Sequence, residues 1–241
     1  MLDNLSDIVF RLTNVSVNYG FSKAIDSISL DLNRGKILGL IGANGAGKTT
    51  TIKALLGMLK IYKGEVLILG EKKCSSRVCR KLGFAPEDAS PPEYLTAKEY
   101  LGFLSKYKKS NAIDSEQQIG EFLDWFELDP NKSVSKYSKG MKRRLILAQA
   151  FLGSPELIIL DEPLNGLDPI MIKKLRQKLK EYQSQGTSIL YSSHILSEVE
   201  STCSDVAMMH RGALLAKESV ETLIQNFGGV EKAFASRVGG K

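Results

Sequence analysis

A glycine-rich turn that ends in a lysine and two threonines is the chemically most informative segment of this sequence. It reads Gly42-Ala43-Asn44-Gly45-Ala46-Gly47-Lys48-Thr49-Thr50 and fits the pattern G-x-x-x-x-G-K-[ST]. The glycines let the backbone curl so that several N–H groups point inward at phosphate oxygens, and the following helix adds its positive N-terminal end. Lys48 supplies an ammonium group for the outer phosphates, and the Thr49 hydroxyl can ligate Mg²⁺. This segment, called the P-loop below, predicts a triphosphate site.

Two adjacent carboxylates follow an apolar run. Leu157–Leu160 reads as a buried strand, and Asp161 and Glu162 come directly after it. Asp161 can hold the shell of a Mg²⁺ ion, which prefers oxygen ligands and keeps several waters. Glu162 can accept a proton from an attacking water, a role that contributes about 10²–10⁴ in rate. The alternative is an acidic turn capped by Pro163, and the presence of Lys48 elsewhere in the chain favours the catalytic interpretation.

One of the two histidines of the chain follows another apolar strand. The run Ser192-Ser193-His194 comes directly after residues 188–191. At the carboxyl end of a strand, His194 could reach a terminal phosphate and the attacking water. Taken alone, a turn or helix-capping histidine is the simpler interpretation. His210 also follows a strand, and we assign it no function.

Apolar runs and turn residues predict the framework that positions these groups. Strands are expected at residues 9–12, 15–19, 27–32, 36–41, 65–69, 82–85, 157–160, 187–191, 206–209 and 214–216. Helices are expected at residues 48–59, 169–185 and 196–201, and a short helix precedes the strand at 82–85. Strands that alternate with helices predict parallel pairing in a layered α/β fold, and the opening strands are expected to form an N-terminal antiparallel β subdomain. Ligands of such sheets lie at the carboxyl ends of the strands, where the three groups above are expected.

The middle of the chain has a different pattern. From about residue 95 to residue 152, apolar residues recur at three- and four-residue spacing, which predicts helix throughout. We interpret residues 87–154 as an all-helical lobe inserted into a core formed by residues 1–86 and 155–241. The Pro-rich turn Ser90-Pro91-Pro92 leads into this lobe.

Composition sets broad limits. The 241 residues carry a net charge of +6, which permits phosphate ligands, nucleic acid or an anionic membrane surface without choosing among them. We interpret the basic clusters Lys106–Lys109 and Lys142–Arg144 as solvated helix faces. Cys74, Cys79 and Cys203 fit free thiols in a reducing compartment better than a metal site. No apolar run approaches the ~20 residues that span a bilayer, and residues 1–8 do not resemble a signal peptide.

These features alone indicate a P-loop NTPase, and one further segment narrows the class. Tyr137-Ser138-Lys139-Gly140-Met141 resembles the signature of ABC-type ATP-binding subunits, usually written Leu-Ser-Gly-Gly-Gln. Nearly the whole chain is similar to that family in the order of its motifs. The resemblance implies an adenine-stacking aromatic, a Q-loop, a D-loop near a dimer interface and a switch histidine, which correspond to Tyr19, Glu87, residues 164–168 ending in Asp168, and His194.

The chain departs from the family pattern at three positions, one in the Q-loop and two in the signature. Glu87 stands where the Q-loop usually has Gln, and Lys139 and Met141 replace a Gly and a Gln of the signature. Glu87 still offers Mg²⁺ an oxygen but adds a negative charge near the triphosphate. The contact to a γ-phosphate across the dimer is expected to survive, because the family makes it mainly with the residues that match Ser138 and Gly140. Tyr19 has a second interpretation as a simple packing residue at a strand end.

The resemblance implies an ATPase with ATP and Mg²⁺ as ligands and no nucleic-acid partner. Its expected partners are a second ATP-binding subunit and a separate integral membrane permease, which places it on the cytoplasmic face of the membrane. The signature variant, Glu87 and the short chain are similar to the branch that serves exporters of drugs, antibiotics, sodium or polysaccharides. The main competitor is a soluble ABC ATPase such as one for iron–sulfur cluster assembly. A GTPase is disfavoured, because a guanine-reading Asn-Lys-x-Asp run is absent from the sequence. A kinase is disfavoured, because it would not need the signature that acts on a second subunit.

Overall fold

The computed structural model describes residues 7–108 and 112–239, with no side-chain description for residues 112–114. Its strands are β1 (Ile8–Tyr19), β2 (Ser22–Asn33), β3 (Ile37–Ile41), β4 (Lys63–Ile68), β5 (Leu82–Ala85), β6 (Leu157–Leu160), β7 (Ser188–Ser193), β8 (Asp205–His210) and β9 (Ala213–Ser219). Its α-helices are α1 (Lys48–Leu55), α2 (Ser76–Lys81), α3 (Ala97–Ser105), α4 (Ala112–Trp125), α5 (Lys139–Ala150), α6 (Pro169–Ser184), α7 (Leu196–Thr202), α8 (Val220–Phe227) and α9 (Val230–Gly239). Residues 1–6 and Lys109, on which two of the expectations above fall, lie outside this description.

The strands form two sheets. One is a six-stranded sheet in the order β5-β6-β7-β3-β8-β9, parallel except for β9, and the other is an antiparallel sheet in the order β2-β1-β4. The α/β class with an N-terminal antiparallel sheet is thereby confirmed. The predicted boundaries of the inserted lobe stay a prediction.

The six-stranded sheet is buried on both faces, as the continuous apolar runs of its strands indicate. Ile158 and Leu160 of β6 pack with α4, α5 and α6 in one core cluster, whereas Leu157 and Ile159 pack with β1, β2 and α1 in a second cluster. This alternation follows from the two-residue period of a strand. The carboxyl ends of β6, β7 and β3 therefore emerge together between two packed layers.

Two details of the secondary structure correct the sequence analysis. The strands predicted at residues 9–12 and 15–19 are one strand, β1, with a register shift at Asn14, whose φ is 49°. The prediction of helix throughout residues 95–152 is wrong, because a connection with a short 3₁₀ turn at Val134–Lys136 separates α4 from α5. Glu127, with φ 55°, ends the helical path there.

A glycine lets α5 pack closely on the core. A Cβ added at Gly83 of β5 would lie 1.8 Å from the carbonyl oxygen of Ala150 at the end of α5. Only glycine permits this approach, which brings the helix that begins after Ser138 against the sheet. Among the described residues, none of the helices combines the length and the apolarity that a bilayer crossing requires.

Candidate functional site

The P-loop joins the end of β3 to the start of α1, as its sequence predicts. Gly45 and Gly47 have φ values of 79° and 104°, in the region that side-chain-bearing residues rarely adopt. The loop is held from outside by the turn between β8 and β9, because the Gly212 N–H donates to the carbonyl oxygen of Ala46 at 3.0 Å. The P-loop lines a cleft of about 570 Å³. The cleft is also lined by residues of β2 and of the β8–β9 turn, and by Glu87 and Glu162.

Adding a methyl group to Gly47 tests this geometry. In Gly47→Ala, the new Cβ would lie 2.8 Å from the Ile25 side chain and keep an unfavourable φ, which costs about 1–2 kcal/mol. We expect ATP affinity to fall by about tenfold, measured by titration calorimetry. The control is Gly70→Ala, which has a similar φ of 80° and no neighbour within 4 Å of the added carbon. Equal ATP affinities for the two variants would contradict the prediction.

Lys48 and Glu162 meet in the floor of this cleft. The Lys48 ammonium lies 3.0 Å from Glu162 Oε1, and both side chains are only 6% exposed. Lys48 Nζ also donates to the carbonyl oxygen of Gly42 at 2.8 Å. The cation and the carboxylate, predicted from separate motifs, are thus in direct contact.

β7 supplies the groups that orient the two carboxylates. The Ser192 hydroxyl donates to Asp161 Oδ1 at 2.6 Å and accepts the backbone N–H of Glu162 at 2.9 Å. His194 Nδ1 lies 2.8 Å from Glu162 Oε2. Glu162 itself has a φ of 46°, a strained conformation that these contacts hold in place. Ser192 was not predicted as a site residue, because no motif in the sequence marks it.

Arg143, a residue of α5, connects the ends of β5 and β6. Its guanidinium donates to the carbonyl oxygens of Pro86 at 2.5 Å, Asp161 at 2.7 Å and Glu162 at 2.8 Å. Burial lowers the pKa of Arg143, and the carboxylates of Asp161, Glu87 and Glu162 partly oppose this shift. The interpretation of Lys142–Arg144 as a solvated face is therefore wrong for Arg143, which is 8% exposed.

The remaining predicted residues lie around this centre. Asn165 Nδ2 donates to Glu87 Oε1 at 3.0 Å, so the segment at 87 contacts the segment 164–168. Gly140 faces that segment too, since a Cβ added there would lie 3.0 Å from the Gly166 carbonyl oxygen. Ser138 caps α5 and Asp168 caps α6, each accepting a backbone N–H, and both residues are exposed.

Asp168 and Tyr19 are both exposed, and neither lines the cleft. The Met171 N–H, which donates to the side chain of Asp168, lowers the pKa of Asp168, so this exposed carboxylate stays charged. Tyr19 is 51% exposed at the end of β1 and is not among the residues that line the cleft. Lys23 and Arg211 do line it, although the sequence analysis singled out neither. Arg211 precedes Gly212 in a two-residue hairpin turn, and such turns carry no sequence pattern for ligand binding.

A family model described as "ABC transporter" matches residues 25–165, more than half of the chain. The chain belongs to the ABC transporter family. The match runs from β2 through the P-loop and the signature to Asn165, so it includes most of the ABC motifs described above.

Curated relatives of this ABC cassette include two transport subunits. It is 40% identical over 213 residues to the bacitracin transport ATP-binding protein BcrA of Bacillus licheniformis, covering 86% of this chain and 68% of that protein. It is 34% identical over 231 residues to the lantibiotic transport ATP-binding protein SrtF of Streptococcus pyogenes, covering 90% of this chain and 96% of that protein. A solved structure of an ATP-binding subunit of an ABC transporter superimposes with a TM-score of 0.88 at 28% identity, covering 95% of this chain and 99% of that one.

The donor set of the ABC site suits a hard divalent cation. The candidate ligands Thr49, Asp161 and Glu87 all offer oxygen, and Asp161 is a buried carboxylate already oriented by the Ser192 hydroxyl. Mg²⁺ usually binds through one or two carboxylates, substrate phosphates and waters rather than in a cage of protein ligands. In the described part of the chain, no group of three or more His, Cys, Asp or Glu residues could hold a metal by itself. The residues present therefore fit Mg²⁺ that arrives with a nucleotide.

Proposed function

We propose that this chain is the ATP-hydrolysing subunit of an ABC exporter, working as a dimer beneath a separate membrane permease. The observation that carries the proposal is that Glu162, in the P-loop cleft, contacts Lys48 through Oε1 and His194 through Oε2. It unites a phosphate-binding cation, a candidate base and a candidate orienting group. The bacitracin and lantibiotic transport proteins support export of an antibiotic-like solute over the soluble cluster-assembly alternative.

ATP binding begins with the P-loop. Its inward N–H groups and the N-terminus of α1 receive the phosphates, and hydrogen bonds to charged groups of this kind contribute about 1.5–3 kcal/mol each. Lys48 then exchanges its contact with Glu162 for the outer phosphates. Bound Mg²⁺, held by Thr49 and Asp161 with Glu87 nearby, would neutralise charge on the phosphates.

Glu162 acts on the water once Lys48 has moved. Its carboxylate, freed on the Oε1 side, accepts the proton of the attacking water, while His194 at Oε2 keeps the carboxylate oriented. Ser192 and Arg143 hold the backbone of Glu162 from both sides, so the base stays at a fixed position. Positioning of this kind accounts for much of the catalysis of phosphoryl transfer.

A second copy completes the site. Ser138 and Gly140 begin α5 on the exposed surface, where the helix N-terminus can receive a γ-phosphate from the facing subunit. Gly140 faces the segment at Gly166, and Asp168 and the 71% exposed Ile170 follow that segment at the start of α6. ATP would then join two subunits, and loss of the γ-phosphate removes the contacts that favour the closed dimer.

A partly apolar groove between core and lobe is the candidate contact for the permease. This lobe groove has a volume of about 360 Å³ and is lined by Leu56, Met58, Cys74, Cys79, Leu82, Phe84, Leu104, Tyr107, Lys108 and Gln149. Met58 and Tyr107 are 57% and 63% exposed, which leaves apolar surface for a partner helix. Phe84 contributes an aromatic side chain to this lining, and the nearby Tyr100 hydroxyl donates to Gln149.

The proposal is tested with the purified chain. We expect it to hydrolyse ATP only with Mg²⁺, and Lys48→Ala to lose nucleotide binding measured by calorimetry. Lys53→Ala, five residues further along α1, is the control for removing a lysine from this helix. Failure of the parent chain to bind any nucleoside triphosphate would refute the proposal. Purification from native membranes, followed by identification of the associated integral protein, tests the transport assignment.

Glu87→Gln should make hydrolysis less dependent on Mg²⁺. The parent Glu repels free ATP and attracts Mg²⁺, whereas Gln keeps an oxygen for Asn165 without the charge. An exposed charge of this kind contributes about 0.5–1 kcal/mol. We therefore expect the rise in rate across a Mg²⁺ titration to be roughly two- to fivefold smaller in Glu87→Gln than in the parent. Glu121→Gln, an exposed position on α4, is the control. Superimposable titration curves for Glu87→Gln and the parent would refute the charge effect.

A further inference from the structure

Two of the three cysteines lie in contact in the wall of the lobe groove. Cys74 Sγ and Cys79 Sγ are 3.6 Å apart, and both residues line the groove, whereas Cys203 is buried elsewhere in the core. The sequence spacing of five residues did not by itself indicate this contact. Neither thiol lines the nucleotide cleft.

The start of α2 explains why the two sulfurs meet. Ser75 is the N-cap of α2, and its hydroxyl accepts the backbone N–H of Val78. Cys74 therefore precedes the cap, and Cys79 is the fourth residue of the helix. Side chains at these two positions pack against each other in the hydrophobic staple that fixes how a chain enters a helix. Here both members of the staple are cysteines, so the helix cap itself holds the thiols together.

The two thiols have different surroundings. Cys79 is exposed, and the Lys108 ammonium lies beside it, donating to the carbonyl oxygens of Cys79 at 3.2 Å and of Leu82. Burial lowers the pKa of Lys108, and the charge of a Cys79 thiolate opposes that shift, so the two groups attract each other. A neighbouring cation and solvent access are the conditions that make a thiol reactive. For Cys74, burial and the contact with Cys79 raise its pKa to about 12.

We propose that Cys74 and Cys79 form a reversible intrachain disulfide when the chain meets a peroxide. The Cys79 thiolate attacks one peroxide oxygen, the O–O bond breaks, and Cys79 becomes a sulfenic acid while the other oxygen leaves as water. The Cys74 sulfur then displaces the sulfenic hydroxyl, which leaves as a second water. Two S–H bonds are lost, one S–S bond forms, and two electrons pass to the peroxide. A low-molecular-weight thiol restores both cysteines by exchange.

The structure requires little rearrangement for this bond. A disulfide has an S–S distance of about 2.05 Å, so the sulfurs must approach by about 1.5 Å, a movement that side-chain rotation can supply. The bond would close the staple covalently and fix the start of α2 in the groove wall.

Its effect on docking rests on the proposed function: a fixed wall cannot adjust to the permease, and we expect oxidation to reduce the fraction of the chain recovered with its membranes.

Thiol counting and peptide mapping test the bond itself. The purified chain is treated with hydrogen peroxide, desalted, unfolded and titrated with a thiol reagent. We expect two of its three thiols to be lost and then regained with dithiothreitol. Trypsin cleaves after Lys73, Arg77 and Arg80, so the disulfide should join two short peptides, one with Cys74 and the other with Cys79. Cys203→Ser should form the same disulfide as the parent. Cys74→Ser and Cys79→Ser should form no disulfide within one chain.

The outcomes separate this inference from the proposed function. Retention of all three thiols, a bond to Cys203, or irreversible loss that dithiothreitol does not repair would overturn the disulfide. Formation of the disulfide with unchanged membrane recovery would overturn the effect on docking and leave the site standing. Basal ATPase activity should be the same in Cys74→Ser, Cys79→Ser and the parent, because neither cysteine contacts the nucleotide cleft. An inactive parent chain would count against the proposed function alone.

Discussion

Glu162→Gln is expected to lower the rate of ATP hydrolysis by about 10²–10⁴-fold. Gln keeps the size of the side chain and can still hydrogen-bond His194, but it cannot accept a proton from water. ATP affinity should not fall, because the substitution removes the carboxylate that competes with phosphate for Lys48. Hydrolysis is what releases the dimer in the proposed cycle, so the variant should accumulate as an ATP-stabilised dimer. A phosphate-release assay and gel filtration with Mg·ATP measure the two effects.

Glu65→Gln is the matched control for this variant. Glu65 lies exposed on β4, and its neutralisation should change neither the rate nor the elution volume. A Glu162→Gln variant that elutes only as a monomer with ATP would count strongly against the dimer mechanism. A variant that hydrolyses ATP within about threefold of the parent would show that another group is the base, because loss of general-base catalysis costs far more.

Arg143→Met should destabilise the fold and slow hydrolysis together. Methionine fills part of the same space but removes the hydrogen bonds that Arg143 donates to the carbonyl oxygens of Pro86, Asp161 and Glu162. Losing these bonds in a buried site should cost about 3 kcal/mol. For a chain of this size, that loss lowers the thermal midpoint by roughly 6–12 °C. Displacement of Glu162 by about 1 Å would slow hydrolysis by up to about 10²-fold.

Calorimetric unfolding and steady-state ATPase assays at a temperature where the variant is folded measure these losses. Arg143→Lys should recover part of both, because an ammonium can reach some of the same carbonyl oxygens. Arg77→Met is the control for an exposed arginine, whose nearest carboxylate is 3.9 Å away. A midpoint for Arg143→Met that stays within about 2 °C of the parent would contradict the assigned bracing role.

Features encoded by contiguous residues were predictable from the sequence. The P-loop needs only the spacing of Gly42, Gly47 and Lys48, because local backbone conformation creates the phosphate cradle. The apolar run before Asp161 forms a buried strand, and the two carboxylates follow it directly in the sequence. The roles proposed for these residues remain predictions.

Three features of the structure were not evident from the charge pattern, the apolar periodicity or the residue spacing of the sequence. Arg143 belongs to a basic run that is typical of a solvated face, yet it is buried because the ends of β5 and β6 present carbonyl oxygens to it. The contact of Cys74 with Cys79 depends on the cap at Ser75, which turns a spacing of five into a close approach. The break in the lobe after α4 reflects the left-handed turn at Glu127, which apolar periodicity does not show.

The sequence alone determined the chemistry available to this protein: a phosphate cradle, a lysine, paired carboxylates and a histidine, each after its own strand. It left open whether the strands that carry them are neighbours. The tertiary structure decided that β7 lies between β3 and β6, so that Ser192 and His194 at the end of β7 contact Glu162, which also meets Lys48 of the P-loop. Strand order depends on how helices cover both faces of the sheet, a property of long-range packing that no short motif encodes.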